Sequence, residues 1–267
     1  MHCAHMHWDY ILILAILAVL VPWRSSSRIR ALLNGPELAS SERILLYLST
    51  IAFQWAAVAV ILWRCRAHHL SWTALGMALP HPFRAAAVAV GVSSVLVFSQ
   101  IYGIRRVAAL PYESRGLVAK LAEKLLPRAS GEIFVAILLV TTVAVCEEFI
   151  YRGFVEAIFA NAFSGSALAG AVISAAFFSL AHLYQGRKGL ATTFAVGLIL
   201  SAARIWTGSL LPSMVIHFAV DFSVGLAAMK FLPLRQSSVA LAALFVPGVL
   251  VGIRSRCNVF SCFGRPS

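Results

Sequence analysis

The sequence predicts an all-α fold, a polytopic membrane helical bundle with about eight transmembrane helices. The first observation is composition: hydrophobic residues make up 60% of the 267-residue chain and charged residues only 12%, against about 25% charged residues in soluble domains. The second is that the apolar residues form continuous runs and do not alternate with polar ones, as the short strands of a membrane barrel would. We therefore predict an integral membrane protein, with membrane lipids as its immediate partners.

Eight apolar runs approach the ~20 residues that an α-helix needs to cross a hydrocarbon core about 30 Å thick. The first is short and the fourth is long, and in order they cover residues 10–23, 44–63, 85–104, 131–162, 167–184, 189–206, 210–229 and 238–253. Residues 105–130 mix apolar and charged side chains at helical spacing, which predicts an amphipathic helix on the membrane surface. Residues 71–82 predict a shorter amphipathic piece that ends at two prolines.

Basic residues lie in the loops between these runs and indicate how the chain is oriented in the membrane. The net charge is +12, but the basic residues lie between apolar runs, so we assign them to contacts with anionic lipid and expect no nucleic-acid partner. The loops after the odd-numbered runs contain fourteen Lys and Arg residues, whereas the other loops and the termini contain seven. Because cytoplasmic loops are enriched in Lys and Arg, this bias predicts that both termini lie outside the cytoplasm.

The cysteines and the N-terminal histidines predict no strong site. The chain has five cysteines, an odd number, and no CxxC motif, so neither a disulfide framework nor a zinc ribbon is indicated. We interpret Cys257 and Cys262 as unpaired thiols of the tail. The N-terminus lacks the basic region of a signal peptide, so the first run is expected to remain as an anchor. His2, His5 and His7 could bind a metal, but an unstructured tail is the preferred interpretation.

Ionisable side chains inside membrane spans are costly, so each is a candidate functional residue. They occur in spans four to seven: Glu147, Glu148, Arg152, Glu156, His182, Arg204, His217 and Asp221. Arg204 lies near a span end and is expected to snorkel. Glu148 and Arg152 are four residues apart and can form an ion pair on one helical face. Glu147 points about 100° away from Glu148 and is left without a cationic partner on its own helix.

An unpaired carboxylate in an apolar site suits a general base or acid, which makes Glu147 the leading catalytic candidate. The alternative is a purely structural ladder of Glu148, Arg152 and Glu156, but this interpretation leaves Glu147 unexplained. Glu147 lies fifteen residues before the turn between spans four and five, and His182 lies sixteen after it. Both would lie roughly 22 to 24 Å from that turn and therefore level in antiparallel helices.

His217 and Asp221 are four residues apart, so they share one face of span seven. The helical rise places His217 ~9 Å from His182 along the bundle axis, a gap that helix tilt could close. In one chemistry, Glu147 and His182 hold and deprotonate a water, while His217 and Asp221 polarise a carbonyl and stabilise its oxyanion. In the other, the same four residues bind a divalent metal such as Zn²⁺ that activates the water. The sequence leaves both hydrolytic chemistries open.

Three motifs follow one another on successive predicted helices: EExxxR at residues 147–152, FxxxH at 178–182 and HxxxD at 217–221. Together and in this order they resemble the CPBP family, which comprises CAAX prenyl proteases and bacteriocin-processing enzymes. The stretch Gly208-Ser209-Leu210 before the last motif is also similar to that family. The resemblance covers roughly residues 132–229, and the first three spans match only in general character.

The resemblance implies an eight-helix intramembrane endopeptidase in which Glu147 activates the water with help from His182. His217 and Asp221 would form the oxyanion-binding side. Where the family often has Asn, this chain has Asp221, and an ionised Asp cannot donate a hydrogen bond to an oxyanion. Asp221 would therefore have to be protonated, to orient His217 or to bind a metal.

The resemblance also implies supporting roles and an organisation of the chain. Arg152 would hold Glu148, which we include among the catalytic candidates, and Phe178 would shape the pocket. The chain would divide into N-terminal membrane helices with the connector, the catalytic core, and a last helix with a basic tail: residues 1–130, 131–230 and 231–267. We expect a bacterial cytoplasmic membrane as the location, and a peptide or a prenylated or otherwise lipidated protein as the substrate.

Other functions of the same polar cluster are weighed against proteolysis. The sequence has no HExxH, no GxSG with a histidine and no GxGD, so zinc, serine and aspartyl types of intramembrane protease are not indicated. A transporter or proton-coupled carrier would use the same buried residues, although no internal repeat or pair of broken helices is present. A scaffold or immunity protein derived from such a protease is the other alternative, although the motif set is complete.

Overall fold

The computed structural model of the protein describes residues 7–232, which belong to one compact unit and contain no strand. Ten α-helices follow one another in this range: α1 (Trp8–Ala15), α2 (Val21–Asn34), α3 (Ser40–Ala67), α4 (Pro82–Ala108), α5 (Gly116–Leu125), α6 (Ser130–Glu148), α7 (Glu156–Ala162), α8 (Ala167–Ala181), α9 (Gly186–Thr207) and α10 (Leu211–Phe231). Two π-helical segments, Ile16–Leu20 and Phe149–Val155, join α1 to α2 and α6 to α7 without a break.

Within the described range, six helical stretches are long and apolar enough to cross a membrane: Trp8–Asn34, Ser40–Ala67, Pro82–Ala108, Ser130–Ala162, Leu183–Thr207 and Leu211–Phe231. The predicted all-α membrane bundle is thereby confirmed. Predicted span five corresponds to α8, which has only 15 residues. Predicted span eight lies outside the described residues, as do Cys257, Cys262, His2 and His5. The division of the chain at residues 130 and 231 stays a prediction.

The first span is longer than predicted. It runs through α1, the π-helical segment and α2 for 27 residues, and three arginines assigned to the following loop, Arg24, Arg28 and Arg30, lie within α2. Arginine has a high helix propensity, so a basic stretch does not end a helix by itself. The helix ends at Asn34, because Gly35 is in an extended conformation and precedes Pro36, a pair that does not continue a helix.

The connector contains a helix, α5, which is shorter than the predicted segment; its place on the membrane surface stays a prediction. Its Lys124 Nζ donates to the Gly35 carbonyl at 2.6 Å, and the Tyr47 hydroxyl donates to the carbonyl of Leu125. Just beyond α5, Arg128 donates to Glu37 at 3.1 Å, which lowers the pKa of that exposed carboxyl. The connector thus fastens the adjoining ends of α2 and α3.

Residues 71–77 form turns that pack into the bundle. Leu75 is buried, and the Leu210 N–H donates to the Gly76 carbonyl at 2.8 Å. Gly76 has a φ of +73°, a conformation that other residues rarely adopt. This segment corresponds to the predicted short amphipathic piece, and it holds the entry to α10 in place.

The central π-helical segment and α7 pack closely against α8 and α9. A Cβ on Gly170 of α8 would lie 2.6 Å from the Glu156 carbonyl oxygen, and one on Gly197 of α9 would lie 3.0 Å from the Ala175 Cβ. Only glycine allows these backbones to approach so closely, which is typical of helix contacts in membranes. These contacts fix the position of α8, whose C-terminal end carries His182, against α7 and α9.

A buried ion pair joins α3 to α6 where the sequence predicted a loop residue. The Arg43 Nε and a Glu132 carboxylate oxygen are 3.4 Å apart, and both side chains are 2% exposed. Arg43 was assigned to the loop after span one because the apolar run begins only at the next residue. Helix α3 starts earlier, at Ser40, and its first turn carries Arg43 inward.

Candidate active site

A cavity of about 220 Å³ lies between α4, α6, α9, α10 and the end of α8. Five of the residues predicted for the site line it: Glu147, Phe178, His182, His217 and Asp221. The polar side chains of Gln100, Gln185, Thr192 and Thr193 also line it. Residues from separate predicted spans therefore converge on one space.

Glu147 occupies the last turn of α6. Its Oε1 accepts a hydrogen bond from Gln54 Nε2 of α3 at 3.0 Å. Its Oε2 has no hydrogen-bond partner among the described residues. The carboxylate is thus oriented through one oxygen, while the other keeps its lone pairs for a further donor.

Glu148 lies behind the cavity rather than in its wall. It is fully buried, accepts a hydrogen bond from Arg152 Nη1 at 2.8 Å, and contacts His217 Nδ1 at 2.9 Å. The predicted ion pair between Glu148 and Arg152 is therefore present. The carboxylate also fixes the ring of His217, so the geometry gives Glu148 a positioning role where the sequence analysis included it among the catalytic candidates.

Arg152 is held by several contacts, although its Nε has no hydrogen-bond partner among the described residues. Its Nη2 donates to the Gly197 carbonyl at 3.3 Å, and its guanidinium lies 4.2 Å from the centre of the Phe178 ring. The same ring contacts both histidines of the cavity, with centroid distances of 4.8 Å to His182 and 5.9 Å to His217. Phe178 thus separates the buried ion pair from the cavity.

The alternative interpretation, an ion-pair ladder of Glu148, Arg152 and Glu156, is met only for the pair of Glu148 with Arg152. Glu156 pairs instead with Arg204 of α9, at 3.2 Å. Arg204 was expected to snorkel towards the membrane surface, but its Nη2 donates to the Ala74 carbonyl at 2.5 Å. The prediction failed because the turns of residues 71–77 bring backbone carbonyls into the bundle, which the sequence pattern does not reveal.

The segment between these two ion pairs is π-helical. All seven residues of Phe149–Val155 are buried, and a π-helix turns less per residue than an α-helix. Rotation is therefore reduced over the segment, and Glu156 beyond it faces Arg204 of α9, while Glu147 and Glu148 before it face α3 and α10. Short π-helical segments are frequent at functional sites.

His182 follows α8 as its C-terminal capping residue and does not lie inside the helix. Its Nδ1 is 2.8 Å from the Phe178 carbonyl oxygen, which cannot donate. Nδ1 therefore carries a proton, and in this tautomer Nε2 is an acceptor. The helix end thus sets the tautomer of this histidine.

His217 and Asp221 share one face of α10, as their spacing predicted. The His217 Nε2 is 3.4 Å from an Asp221 carboxylate oxygen, and Asp221 is partly exposed. The ~9 Å axial offset expected between His217 and His182 does not separate them, because both line the cavity. His217 directs its two ring nitrogens at two different carboxylates.

The cavity residues do not match a metal site in their present arrangement. A metal site needs at least three ligand atoms from His, Cys, Asp or Glu close together. Within residues 7–232, one group has three such atoms within 4.8 Å of one another, and it consists of His7, Asp9 and His68. Glu147, His182, His217 and Asp221 form no such group, although a metal was one of the two chemistries that the sequence left open. Both nitrogens of His217 are moreover engaged by carboxylates.

Gln54 and Gln100 are site residues that the sequence analysis missed. Both are neutral and lie in otherwise apolar runs, so a search for ionisable residues in spans passes over them. Gln54 contacts Glu147 across 93 residues of sequence, and no local pattern indicates such a pair. Polar amides inside spans two and three were the one signal that could have pointed to them.

The fold and the cavity define a class of protein: a helical membrane protein with glutamate, histidine and aspartate side chains around one buried space. Residues 129–223 match the family described as type II CAAX prenyl endopeptidase Rce1-like. The matched segment contains all three motifs, and the match confirms the resemblance to CAAX proteases. It supports an intramembrane endopeptidase in general and implies a protein substrate in the membrane. No curated protein and no solved structure gave a significant match.

Proposed function

We propose that the protein is an intramembrane endopeptidase that hydrolyses a peptide bond through a metal-free glutamate mechanism. The observation that carries the proposal is that Glu147, His182, His217 and Asp221 line one cavity. The substrate is a protein cleaved near a membrane-embedded or lipid-modified segment. Intramembrane ionisable residues are costly to retain, and a hydrolytic role accounts for all four together.

Glu147 is the general base of this mechanism. Because Gln54 occupies its Oε1, a water binds at Oε2 and gives its proton to this oxygen. His182 Nε2 accepts a hydrogen bond from the other hydrogen of the water, since Nδ1 already donates to the Phe178 carbonyl. The water oxygen then attacks the carbonyl carbon, and the electron pair of the C=O double bond moves to the carbonyl oxygen.

His217 stabilises the resulting oxyanion. In this scheme the His217 ring carries a proton on each nitrogen: Nδ1–H donates to Glu148, and Nε2–H is directed into the cavity, where the long 3.4 Å contact with Asp221 leaves room for a stronger acceptor. Asp221 in this scheme orients His217, one of the roles left open for it. The intermediate collapses as the C–N bond breaks, and Glu147 returns the proton to the leaving amine nitrogen. The products are a carboxylic acid and an amine.

We further propose that the cavity opens towards the cytoplasm of a bacterial cell. Two basic residues, Arg187 and Lys188, lie in the first turn of α9, close in sequence to His182. Basic residues at span ends favour the cytoplasmic side. This side is also where a lipidated substrate tail would be presented to the enzyme.

Glu147→Gln tests the mechanism, because Gln keeps the size and the contact with Gln54 but cannot accept the proton. We expect cleavage to fall by roughly 10² to 10⁴-fold, the usual contribution of a general base. New peptide termini of membrane proteins would be compared by mass spectrometry in cells that express the wild type or the variant. Glu113→Gln, an exposed site in the connector, is the matched control and should leave the products unchanged.

Products that persist at wild-type levels with Glu147→Gln would remove this residue from the mechanism. If the protein is instead a transporter or a scaffold, the two alternatives to proteolysis, no new peptide terminus will depend on Glu147. Equal amounts of inserted protein, measured by immunoblot of membranes, are required for either conclusion.

A further inference from the structure

A second cluster of ionisable side chains lies where the N-terminus of α1 meets the C-terminus of α3. His7, Asp9 and His68 each offer one ligand atom there, and these atoms lie within 4.8 Å of one another. The His68 Nε2 is 2.9 Å from an Asp9 carboxylate oxygen, and the rings of His7 and His68 stack with their centroids 3.7 Å apart. None of the three lines the catalytic cavity.

Asp9 is buried, and its two oxygens differ. Oδ2 accepts a hydrogen bond from Arg64 Nε at 2.5 Å, whereas Oδ1 has no hydrogen-bond partner among the described residues. A carboxylate oxygen out of contact with water and without a donor is unfavourable. Bound to a cation, this oxygen would be satisfied.

We propose that His7, Asp9 and His68 bind a divalent first-row transition metal of the Zn²⁺ type. Two imidazoles and one carboxylate are a donor set that such metals prefer. Ligand atoms around a tetrahedral zinc lie about 3.3 Å apart, given bonds of about 2.0–2.2 Å. Because a bound metal lies in the plane of each imidazole, the exposed His7 ring has to turn out of its stack with His68 to complete the site. Oδ1 of Asp9 is the ligating oxygen, and water fills the fourth position.

Arg64 remains part of the site as the partner of the ligating carboxylate. Metal-bound carboxylates are commonly held by a hydrogen bond to the oxygen that does not ligate, and Arg64 already makes this bond to Oδ2. The His68 Nε2 is now 3.2 Å from Arg64 Nη2 and 2.9 Å from Asp9 Oδ2, and the metal replaces both of these contacts. Because Arg64 offsets the charge of Asp9, we expect weaker binding than in sites built from several thiolates.

The metal would clamp α1 to α3 next to the catalytic core. The ring of Tyr10 packs edge-on against His68, with centroids 5.0 Å apart, and against Phe154 of the central π-helical segment, at 5.2 Å. Tyr10 is buried between these groups, so a shift of α1 would also shift the π-helical segment that carries Arg152. Metal binding at this site should therefore stabilise the bundle.

Zinc titration of the full chain tests the proposal. His2, Cys3 and His5 could also bind metal, so the parent for this experiment carries His2→Ala, Cys3→Ala and His5→Ala. The protein, purified in detergent and stripped with a chelator, is titrated with Zn²⁺ against a chromophoric zinc indicator. We expect one Zn²⁺ per chain and a raised midpoint of thermal unfolding.

Single substitutions then locate the ion. His7→Ala removes an exposed ligand and is not expected to disturb folding, so we expect at least ~10-fold weaker zinc binding, and His68→Ala should have the same effect. His69→Asn is the matched control. His69 is exposed and has a φ of +54°, which Asn tolerates, and zinc binding should be unchanged.

Two results would overturn the proposal. One is a parent protein that binds no zinc in the micromolar range. The other is a His7→Ala variant that binds zinc as tightly as the parent, since the ion would then occupy another place. The readout is binding and not cleavage, so either result leaves the proposed endopeptidase function untouched.

Discussion

Gln54 is the side chain that orients the Glu147 carboxylate. It reaches Glu147 from the middle of α3, and among the described residues it is the only hydrogen-bond donor to either oxygen of that carboxylate. A neutral amide can hold a carboxylate without neutralising it, whereas a lysine or arginine would lower its basicity. The choice of Gln at this position therefore suits a carboxylate that has to accept a proton.

Gln54→Leu should lower kcat about 10-fold and leave KM nearly unchanged, because the base loses its orientation but the substrate contacts remain. The measurement is steady-state kinetics on a reporter substrate identified from the cleavage products. Trp55→Phe is the matched control, since it removes the hydrogen bond from Trp55 to Thr142 between the same two helices away from the cavity. Equal kinetic effects of both variants would mean that Gln54 acts only through packing.

Cleavage should survive complete removal of divalent metals. The cavity residues form no group of ligand atoms with metal-binding separations in residues 7–232, and the proposed base needs no metal to accept a proton. Activity would be measured after treatment with a chelator, with metal content per chain determined by mass spectrometry. The His7→Ala variant serves as a control because it lacks a ligand of the metal site proposed at His7, Asp9 and His68. Activity that disappears with the metal and returns with added Zn²⁺ would contradict the glutamate mechanism.

The four cavity residues could be found from sequence because charge inside an apolar span is rare and therefore conspicuous. Their convergence followed from counting helical rise for Glu147 and His182. The position of Glu148 behind the cavity did not follow, because a helical projection gives only the direction of a side chain. Which of two adjacent carboxylates faces a cavity depends on the neighbouring helices, here α3 and α10.

At the scale of elements, the close contact of α7 with α8 depends on one glycine. A Cβ on Gly170 would lie 2.6 Å from the Glu156 carbonyl oxygen and 3.1 Å from the Ala160 Cβ. Backbone atoms cannot rotate away as a flexible side chain can, so the two helices would have to separate. Separation would also move His182, which caps α8.

Gly170→Ala should destabilise the protein by about 1–3 kcal/mol, the usual range for overpacking. The measurement is the midpoint of thermal unfolding in detergent. Gly103→Ala in α4 is the matched control, because a Cβ there meets nothing within 4 Å, and Ala is favoured over Gly in a helix. A neutral effect of Gly170→Ala would show that α8 adapts by shifting as a whole.

The helices themselves were largely predictable, whereas their irregular parts were not. Continuous apolar runs marked the spans, but a π-helical segment such as Phe149–Val155 contains the same residue types as the α-helix around it. The sequence did not reveal that α8 is short, because the apolar run continues beyond His182 through Leu183 and Tyr184. Its end is determined by contacts with α9, such as the hydrogen bond from Ser179 to the Leu190 carbonyl at 2.8 Å.

At the scale of the whole molecule, the predicted orientation has a direct test. Residue 81 lies between α3 and α4 and residue 113 between α4 and α5, so the two flank one span and should lie on opposite sides of the membrane. Cys3, Cys257 and Cys262 would be replaced by Ser, while Cys65 and Cys146 are buried. A membrane-impermeant maleimide should label His81→Cys in intact cells, and Glu113→Cys only after the membrane is opened.

The reverse labelling pattern would place the basic loops outside and contradict the proposed cytoplasmic opening. Labelling of both variants in intact cells would instead indicate that the membrane is leaky, and a cytoplasmic marker protein controls for this. Both substituted residues are exposed, so neither change should disturb the fold.

The shortness of α8 explains how a hydrolase can obtain its second reactant in an environment that excludes it. Fifteen residues extend about 22 Å, less than the ~30 Å of hydrocarbon that a full span must cross. Where the helix stops, the polar side chains of Gln185, Thr192 and Thr193 line the cavity beside His182. A full-length span would place hydrocarbon side chains there, so the early end of α8 leaves this side of the cavity polar enough to hold the water that the proposed reaction consumes.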